Sequence, residues 1–484
     1  MKKILSILTI VTLIFTSCNS VIDIEQPGLL PAENAFKSVT DLELGVLGIY
    51  RDLDNTTEIR ANAVFTDELS IGAENGGQNV SQYSLNLNPN SGIPLSIWTS
   101  YYITLNRLNK VLVAADKVPV KIGEEARFKN AKGELFAIRA YCHFQLQTYF
   151  TTNYTDDSAL GAILILSVPS ITDKLARNTN GEVFTAIDAD LTTANALLSE
   201  SANNNRISKD FITALKARMA AYRGQYTLAN GFASTLIAKY PLSNQTQFIN
   251  MFSDTDDSEI IFELDRTVGD IYDNQGTTGG GWAGSLFAFI SSDNGGGPFM
   301  EMSRSLYNKL TPGDVRLTRY IHPTSNVEAD YVTNAQTDIL LINKYPGSDN
   351  QPLMNDIKIF RSAEMVLIKA EALADAGNFS GAAALVKTIR DARFGAPQAV
   401  SFANEQEAFA GILAERRLEL AFEGHRWIDI KRLGQRAGVS IDRDAVDCTL
   451  YSACALSNTD YRFTMPIPLS EMDVNSALVQ NTGY

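Results

Sequence analysis

Glu415, Glu419 and Glu423 stand four residues apart in the segment ERRLELAFEGHRWIDIKRLG, 415–434, a spacing that lines three carboxylates along one stripe of a helix. Like charges at that spacing cost roughly 0.2–0.5 kcal/mol per pair when uncompensated, so any fold containing this helix must bring cations to the stripe. Arg416 and Arg426, three residues from Glu419 and Glu423 respectively, are the nearest sources, with Phe422 and Trp427 packing beside the pairs. Gly424 reads as the helix stop. On this reading the segment, His425 included, is a structural junction of paired charge and aromatic packing and not a ligand contact.

Helical spacing recurs along the chain between long irregular stretches. The run VTDLELGVLGIYRDL, 39–53, begins at a Thr40 cap and sets Leu44, Leu47 and Tyr50 on adjacent turns. Trp98, Tyr102, Leu105 and Leu108 follow a three-to-four step within 97–115, which assigns Trp98 to the core. Further helices are expected from near Gly123 to about Tyr149, over 182–198 and over 210–222, with a strand-like run at 259–264. Two turns share a unit: Gly224-Gln225-Tyr226 and Gly377-Asn378-Phe379 each place an Ala, Ala229 or Ala382, three residues after the aromatic. The glycine supplies a tight turn, and the small residues let two helices approach while the aromatic fills the gap. These units resemble tetratricopeptide hairpins, but the copies lie 153 residues apart, from Gly224 to Gly377, so they are not a simple tandem array. The expected class is mainly α: helical hairpins forming a scaffold, with long irregular insertions and a few short strands.

The insertions are where a rigid helical scaffold would present function. One, 72–92, is rich in Asn and carries Asn75 and Tyr83; another, 269–297, holds nine glycines together with Tyr272, Trp282, Phe287 and Phe289. A sugar offers an apolar C–H face and a rim of hydroxyls, so its receptors combine flat aromatic surfaces with polar side chains. Trp282, Tyr272, Tyr83, Phe287 and Asn75 are therefore the candidate ligand-binding residues.

Catalytic signals are poor. The GGGWAG run at 279–284 satisfies GxGxxG but lacks the strand–turn–helix setting that gives the pattern meaning. Only three histidines occur, His143, His322 and His425, with no HExxH, CxxC or paired His spacing, and neither a GxSxG elbow nor a Walker A lysine is present. The acidic pairs Asp67-Glu68 and Asp256-Asp257 could serve glycoside hydrolysis only across a bond, a geometry that adjacency does not supply; they read as solvated loop residues. No catalytic residue and no metal ligand is assigned. With 55 acidic against 41 basic residues the formal charge is −14, a field that repels phosphate backbones and excludes nucleic acid as a natural partner.

The termini narrow the class. Lys2 and Lys3 precede an apolar run from Ile4 to Phe15, too short to span a bilayer but suited to the core of a secretory signal. Thr16-Ser17-Cys18 then resembles a lipobox, which makes residues 1–17 a leader, Cys18 the acylated anchor and residues 18–484 one mature domain. Loss of Lys2 and Lys3 takes the formal charge from −14 to −16. Export permits a disulfide between Cys448 and Cys454 without requiring it, and Cys142, in an apolar helical stretch, reads as a buried thiol. At the other end come Met465-Pro466-Ile467-Pro468, then Glu471, Asn475 and Gln480-Asn481-Thr482-Gly483-Tyr484. Together with Asp23-Ile24-Glu25-Gln26-Pro27 and the 415–434 segment, these motifs resemble the SusD/RagB family of Bacteroidetes across almost the whole mature chain.

That resemblance implies a non-catalytic lipoprotein on the outer face of the outer membrane. It would pass oligosaccharide to a SusC-like TonB-dependent transporter. The RagB branch implies peptide as the alternative ligand; a surface glycosidase and a pure protein-binding scaffold are the readings from other classes. No cofactor is implied, and a supporting calcium ion is left open. The loops after Gly269 align with nothing in the family, which leaves the choice of ligand open.

Overall fold

The computed structural model describes residues 35–200, 203–270, 281–287 and 298–484; the leader, Cys18 and Tyr272 lie outside the described residues. Eleven of its helices carry the scaffold: α1 Val39–Asp52, α2 Thr56–Val64, α3 Gly92–Ala115, α4 Glu125–Phe150, α5 Asn180–Leu197, α6 Lys209–Tyr222, α7 Tyr226–Lys239, α8 Ser362–Asp375, α9 Phe379–Phe394, α10 Glu405–Glu419 and α11 Arg426–Ala437. Helix α1 packs on α3 and α4, α4 on α5, and α10 on α11. One contiguous apolar core runs through them, from Leu42 to Leu478. Trp98 is buried in it, 4.7 Å from Tyr102 and 4.9 Å from Phe150 between ring centroids. Among the described residues no helix is long and apolar enough to cross a membrane.

The two repeated units are helix hairpins, α6–α7 and α8–α9, with the same turn. Gly224 (φ +67°) and Gly377 (φ +73°) take the left-handed conformation that glycine adopts at least cost. The next residue donates its N–H back to the carbonyl five positions earlier, Gln225 to Ala220 at 2.8 Å and Asn378 to Leu373 at 2.9 Å, closing the helix end in a Schellman pattern. Ala229 and Ala382 are fully buried, and α7 packs directly against α8. The hairpins are therefore neighbours in space despite their separation in the chain.

The first helix departs from expectation. Its cap is Ser38, which accepts the Asp41 N–H, and its buried face is Val39, Leu42, Val46 and Ile49. Leu44 and Leu47 remain 61% and 48% exposed. Both stripes are apolar at helical spacing, so periodicity alone could not choose between them; packing against α3 and α4 does.

The 415–434 segment is structural, as its spacing suggested, but its partners differ. Helix α10 ends at Glu419; Phe422 (φ +62°) and Gly424 (φ +85°) turn the chain before α11, so Glu423 is not on the helix. Glu419 is fully buried and meets Arg393 at 2.8 Å, Arg361 at 3.1 Å and Arg316 at 3.4 Å. Arg361 and Arg393 also hold Glu259, at 2.7 and 2.9 Å. Arg316 holds Glu415 at 2.7 Å, and Glu423 is shared by Arg361 and Lys344. Arg416 turns away to Asp429 (2.7 Å) and Arg426 to Asp67 (2.8 Å). Trp427 stacks on Tyr149 at 5.8 Å, while its backbone N–H donates to the Asn62 side-chain oxygen. Asp67 and Glu68, expected in solvent, are 2% and 1% exposed; a buried carboxylate needs such arginines.

Short antiparallel pairs complete the structure. Strand β1, Leu69–Ile71, pairs with β3, Met300–Met302; β2, Ile260–Leu264, with β6, Ile357–Arg361; β4, Gly347–Ser348, with β5, Gln351–Pro352; and β7, Ile441–Asp442, with β8, Ala455–Leu456. Cys448 and Cys454 form a disulfide within the β7–β8 connection, and Cys142 is a buried free thiol.

Candidate functional site

The β1–β3 pair forms one wall of a cleft of about 300 Å³. Register places Ser70 opposite Glu301, and the Leu340 N–H and Ala73 N–H each donate to a Glu301 carboxylate oxygen, at 3.0 and 3.3 Å. Arg304 begins the short helix after β3; its guanidinium lies against Asp338 in a bidentate pair, and its own N–H donates to Asp447 at 2.9 Å. Exposed Gln336 and Ala335 contribute a rim. The remaining wall is residues 446–451, which bring Asp447, Leu450 and Tyr451 to the cleft.

The disulfide-closed turn is held from behind by Arg443. Its guanidinium donates to the carbonyls of Val64, Thr66, Tyr83 and Ala453 at 2.6–2.9 Å, and lies 3.8 Å over the Tyr83 ring. Tyr83 in turn donates its hydroxyl to the Asp447 carbonyl at 3.0 Å and meets Tyr451 edge-on at 5.2 Å. The Arg304 charge is spent on Asp338, leaving the cleft uncharged or acidic.

The described candidates from the sequence are placed elsewhere. Tyr83 is fully buried and offers no open ring face; it supports Tyr451 instead. Asn75 is 3% exposed and donates to the Phe299 carbonyl at 2.9 Å, tying its loop to the β3 segment. Trp282 is 5% exposed, its indole N–H directed to the Thr267 carbonyl at 3.3 Å. Phe287 is buried between Tyr345 and Phe422. These side chains pin their loops to the scaffold, because large aromatic surface is worth more buried than wet. The structure does not bring these four together on an open surface. Sequence reading missed Glu301, Asp447, Leu450 and Tyr451; for the last two the available signal was the Cys448/Cys454 spacing, which marks a closed turn without saying what it faces. Among the described residues no group of three or more His, Cys, Asp or Glu side chains is arranged to hold a metal ion.

Burial pushes Glu301 from 4.5 up to about 7 against the pull of its two backbone donors, and Asp447 from 3.8 up to about 7 against the pull of the Arg304 backbone N–H. A raised carboxyl stabilises the fold while protonated, so its contribution is complete below the ordinary carboxylate value and is lost as pH rises through the folded value. Glu301→Gln has no such proton to lose. The difference in thermal midpoint between this variant and the parent should shift toward the variant between about pH 4 and about pH 8 and level off above that, and likewise for Asp447→Asn. A gap that stays constant with pH would contradict the burial of these carboxyls.

Comparison with known proteins bears on the whole architecture. Residues 271–484 match the model of the SusD family, and residues 33–222 match a model described as starch-binding, associating with outer membrane. SusD-like protein P38 of Formosa agariphila is 25% identical over 473 residues, covering 88% of this chain and 90% of that protein. A SusD superfamily protein from Bacteroides thetaiotaomicron superposes with a TM-score of 0.75 at 22% identity, covering 92% of this chain and 99% of its own. Surface glycan-binding protein A from Bacteroides fluxus gives 0.71 at 21% identity, covering 93% and 100%. These structures share the fold described above.

Proposed function

We propose that this chain, which belongs to the SusD/RagB family, captures glycan at the cell surface and hands it, uncleaved, to a SusC-like TonB-dependent transporter. The observation that carries the reading is the cleft itself, where the apolar faces of Leu450 and Tyr451 adjoin Ser70, Glu301 and Gln336. An apolar face beside hydroxyl-directed acceptors is what a sugar ring requires. The family model's description as starch-binding and associating with outer membrane supports the same conclusion, as does the neighbour described as a surface glycan-binding protein. The leader and Cys18 supply the lipid anchor in this reading. Because the Arg304 guanidinium at the cleft is neutralised by Asp338, a uronate or sulfate group would find no free cation there, and the preferred glycan is uncharged.

The test is affinity electrophoresis of the mature protein lacking Cys18 in gels containing soluble starch, mannan, xylan, a mixed-linkage β-glucan or polygalacturonate. Retardation by a neutral polymer and not by polygalacturonate is expected. Ala335→Trp, a large side chain at an exposed rim position, should abolish the retardation with the thermal midpoint unchanged. Retardation that survives this substitution would move the site away from the cleft, and sugar release from a labelled oligosaccharide would overturn the non-catalytic reading.

A further inference from the structure

We infer that the turn closed by Cys448–Cys454 is the ligand platform of the cleft, with Leu450 and Tyr451 setting affinity and the disulfide holding them in place; this rests on the glycan reading above. Leu450 is 86% exposed, a large apolar side chain standing in water at the cleft wall. Tyr451 is partly buried, its edge against Tyr83. Leu450 contributes no burial that would explain it as core, and Tyr451 packs against the core while also lining the cleft. The other apolar side chains of the cleft, Ile71, Met302, Ile339, Leu340 and Val446, are buried or partly buried, so Leu450, with the Tyr451 ring beside it, provides the open apolar surface on which a pyranose C–H face can lie.

The turn is built to keep that surface fixed. Strands β7 and β8 pair Ile441 with Leu456 and Asp442 with Ala455, the Arg443 N–H donates to the Cys454 carbonyl at 2.8 Å, and the disulfide joins cysteines six positions apart. Within it, Cys448 is fully buried and Ala453 nearly so, while Leu450 projects. A platform ordered before binding spares the ligand the entropy of immobilising it, and a covalent closure of a short turn does this directly. Reduction of the bond should therefore weaken binding without unfolding the scaffold, whose helices do not depend on it.

The experiment is isothermal titration of the mature protein with maltoheptaose and with the oligosaccharide of whichever neutral polymer retards it in gels. Tyr451→Ala and Leu450→Ser should each weaken binding by about tenfold or more, and Tyr451→Phe should restore it, since the ring and not the hydroxyl is the contact. The paired substitution Cys448→Ser with Cys454→Ser should weaken it by about three- to tenfold. Leu450→Ser keeps the test valid if Tyr451→Ala proves unstable, because a side chain so exposed is not needed for folding. Parent protein that binds no neutral glycan would overturn the glycan reading itself. Parent binding that persists undiminished in Tyr451→Ala and Leu450→Ser would overturn the platform alone, and full affinity in the cysteine pair would overturn the role of the disulfide.

Discussion

Glu419→Gln should lower folding stability by about 3–5 kcal/mol, the loss expected when one member of a buried ion-pair network is neutralised and its partners stay buried. Glu419 is fully buried and contacts Arg316, Arg361 and Arg393 at 3.4 Å or less. These arginines drive its carboxyl well below the usual range despite burial. Those arginines cannot shed their charge, so Gln leaves a cationic excess in a medium that screens it poorly. The expected readout is a fall in the urea midpoint with unchanged slope. Arg127→Ala provides the contrast: its pair with Glu43 is 46% and 32% exposed at the side chains, and loss of such a pair costs on the order of 0–1 kcal/mol. A Glu419 variant that costs no more than the Arg127 variant would mean that water or side-chain movement compensates the cluster, and that the clasp between α10, α9 and β6 lies elsewhere.

That cluster also marks where local sequence logic ends. Three glutamates four apart did announce a need for cations, and the need is real. Arg416 and Arg426 are the sources that sequence proximity offers, whereas Arg316, Arg361 and Arg393, which meet the need, arrive from other elements with no spacing to reveal them. The hairpin turns at Gly224 and Gly377 were legible for the opposite reason: glycine conformation, the returning N–H and the buried alanine all lie within a few residues of one another. Loop aromatics fall between these cases. Trp282 and Phe287 have the composition of a sugar platform, yet their burial is decided by Tyr345, Phe422 and the Thr267 carbonyl, none of which their own segment encodes. Leu450 and Tyr451 have unremarkable composition, and they matter in the proposal because β1, β3 and residues 335–340 meet them from across the chain.

Arg443→Met should lose both stability and ligand affinity, a pairing that separates this residue from the charge clasp. Its guanidinium is paired with carbonyls, not with a carboxylate: Val64 and Thr66 at the end of α2, Tyr83, and Ala453 inside the disulfide ring. Methionine would fill much of the same space while leaving four buried carbonyls without that donor. At about 1–3 kcal/mol for each orphaned group, offset by no longer burying a charge, a net loss of about 3–5 kcal/mol follows. The structural consequence is local. Tyr83 loses the cation above its ring, and its contacts to the Asp447 carbonyl and the Tyr451 edge loosen with it, so the cleft wall should drift where the protein is still folded. Titration at low temperature should then show affinity falling by about tenfold or more, whereas Tyr83→Phe, which removes one hydroxyl bond and keeps the ring, should cost about 1 kcal/mol of stability and little affinity. If folded Arg443→Met bound as tightly as the parent, the disulfide and the β7–β8 pairing would suffice to shape the wall, and its tether to α2 would serve stability alone.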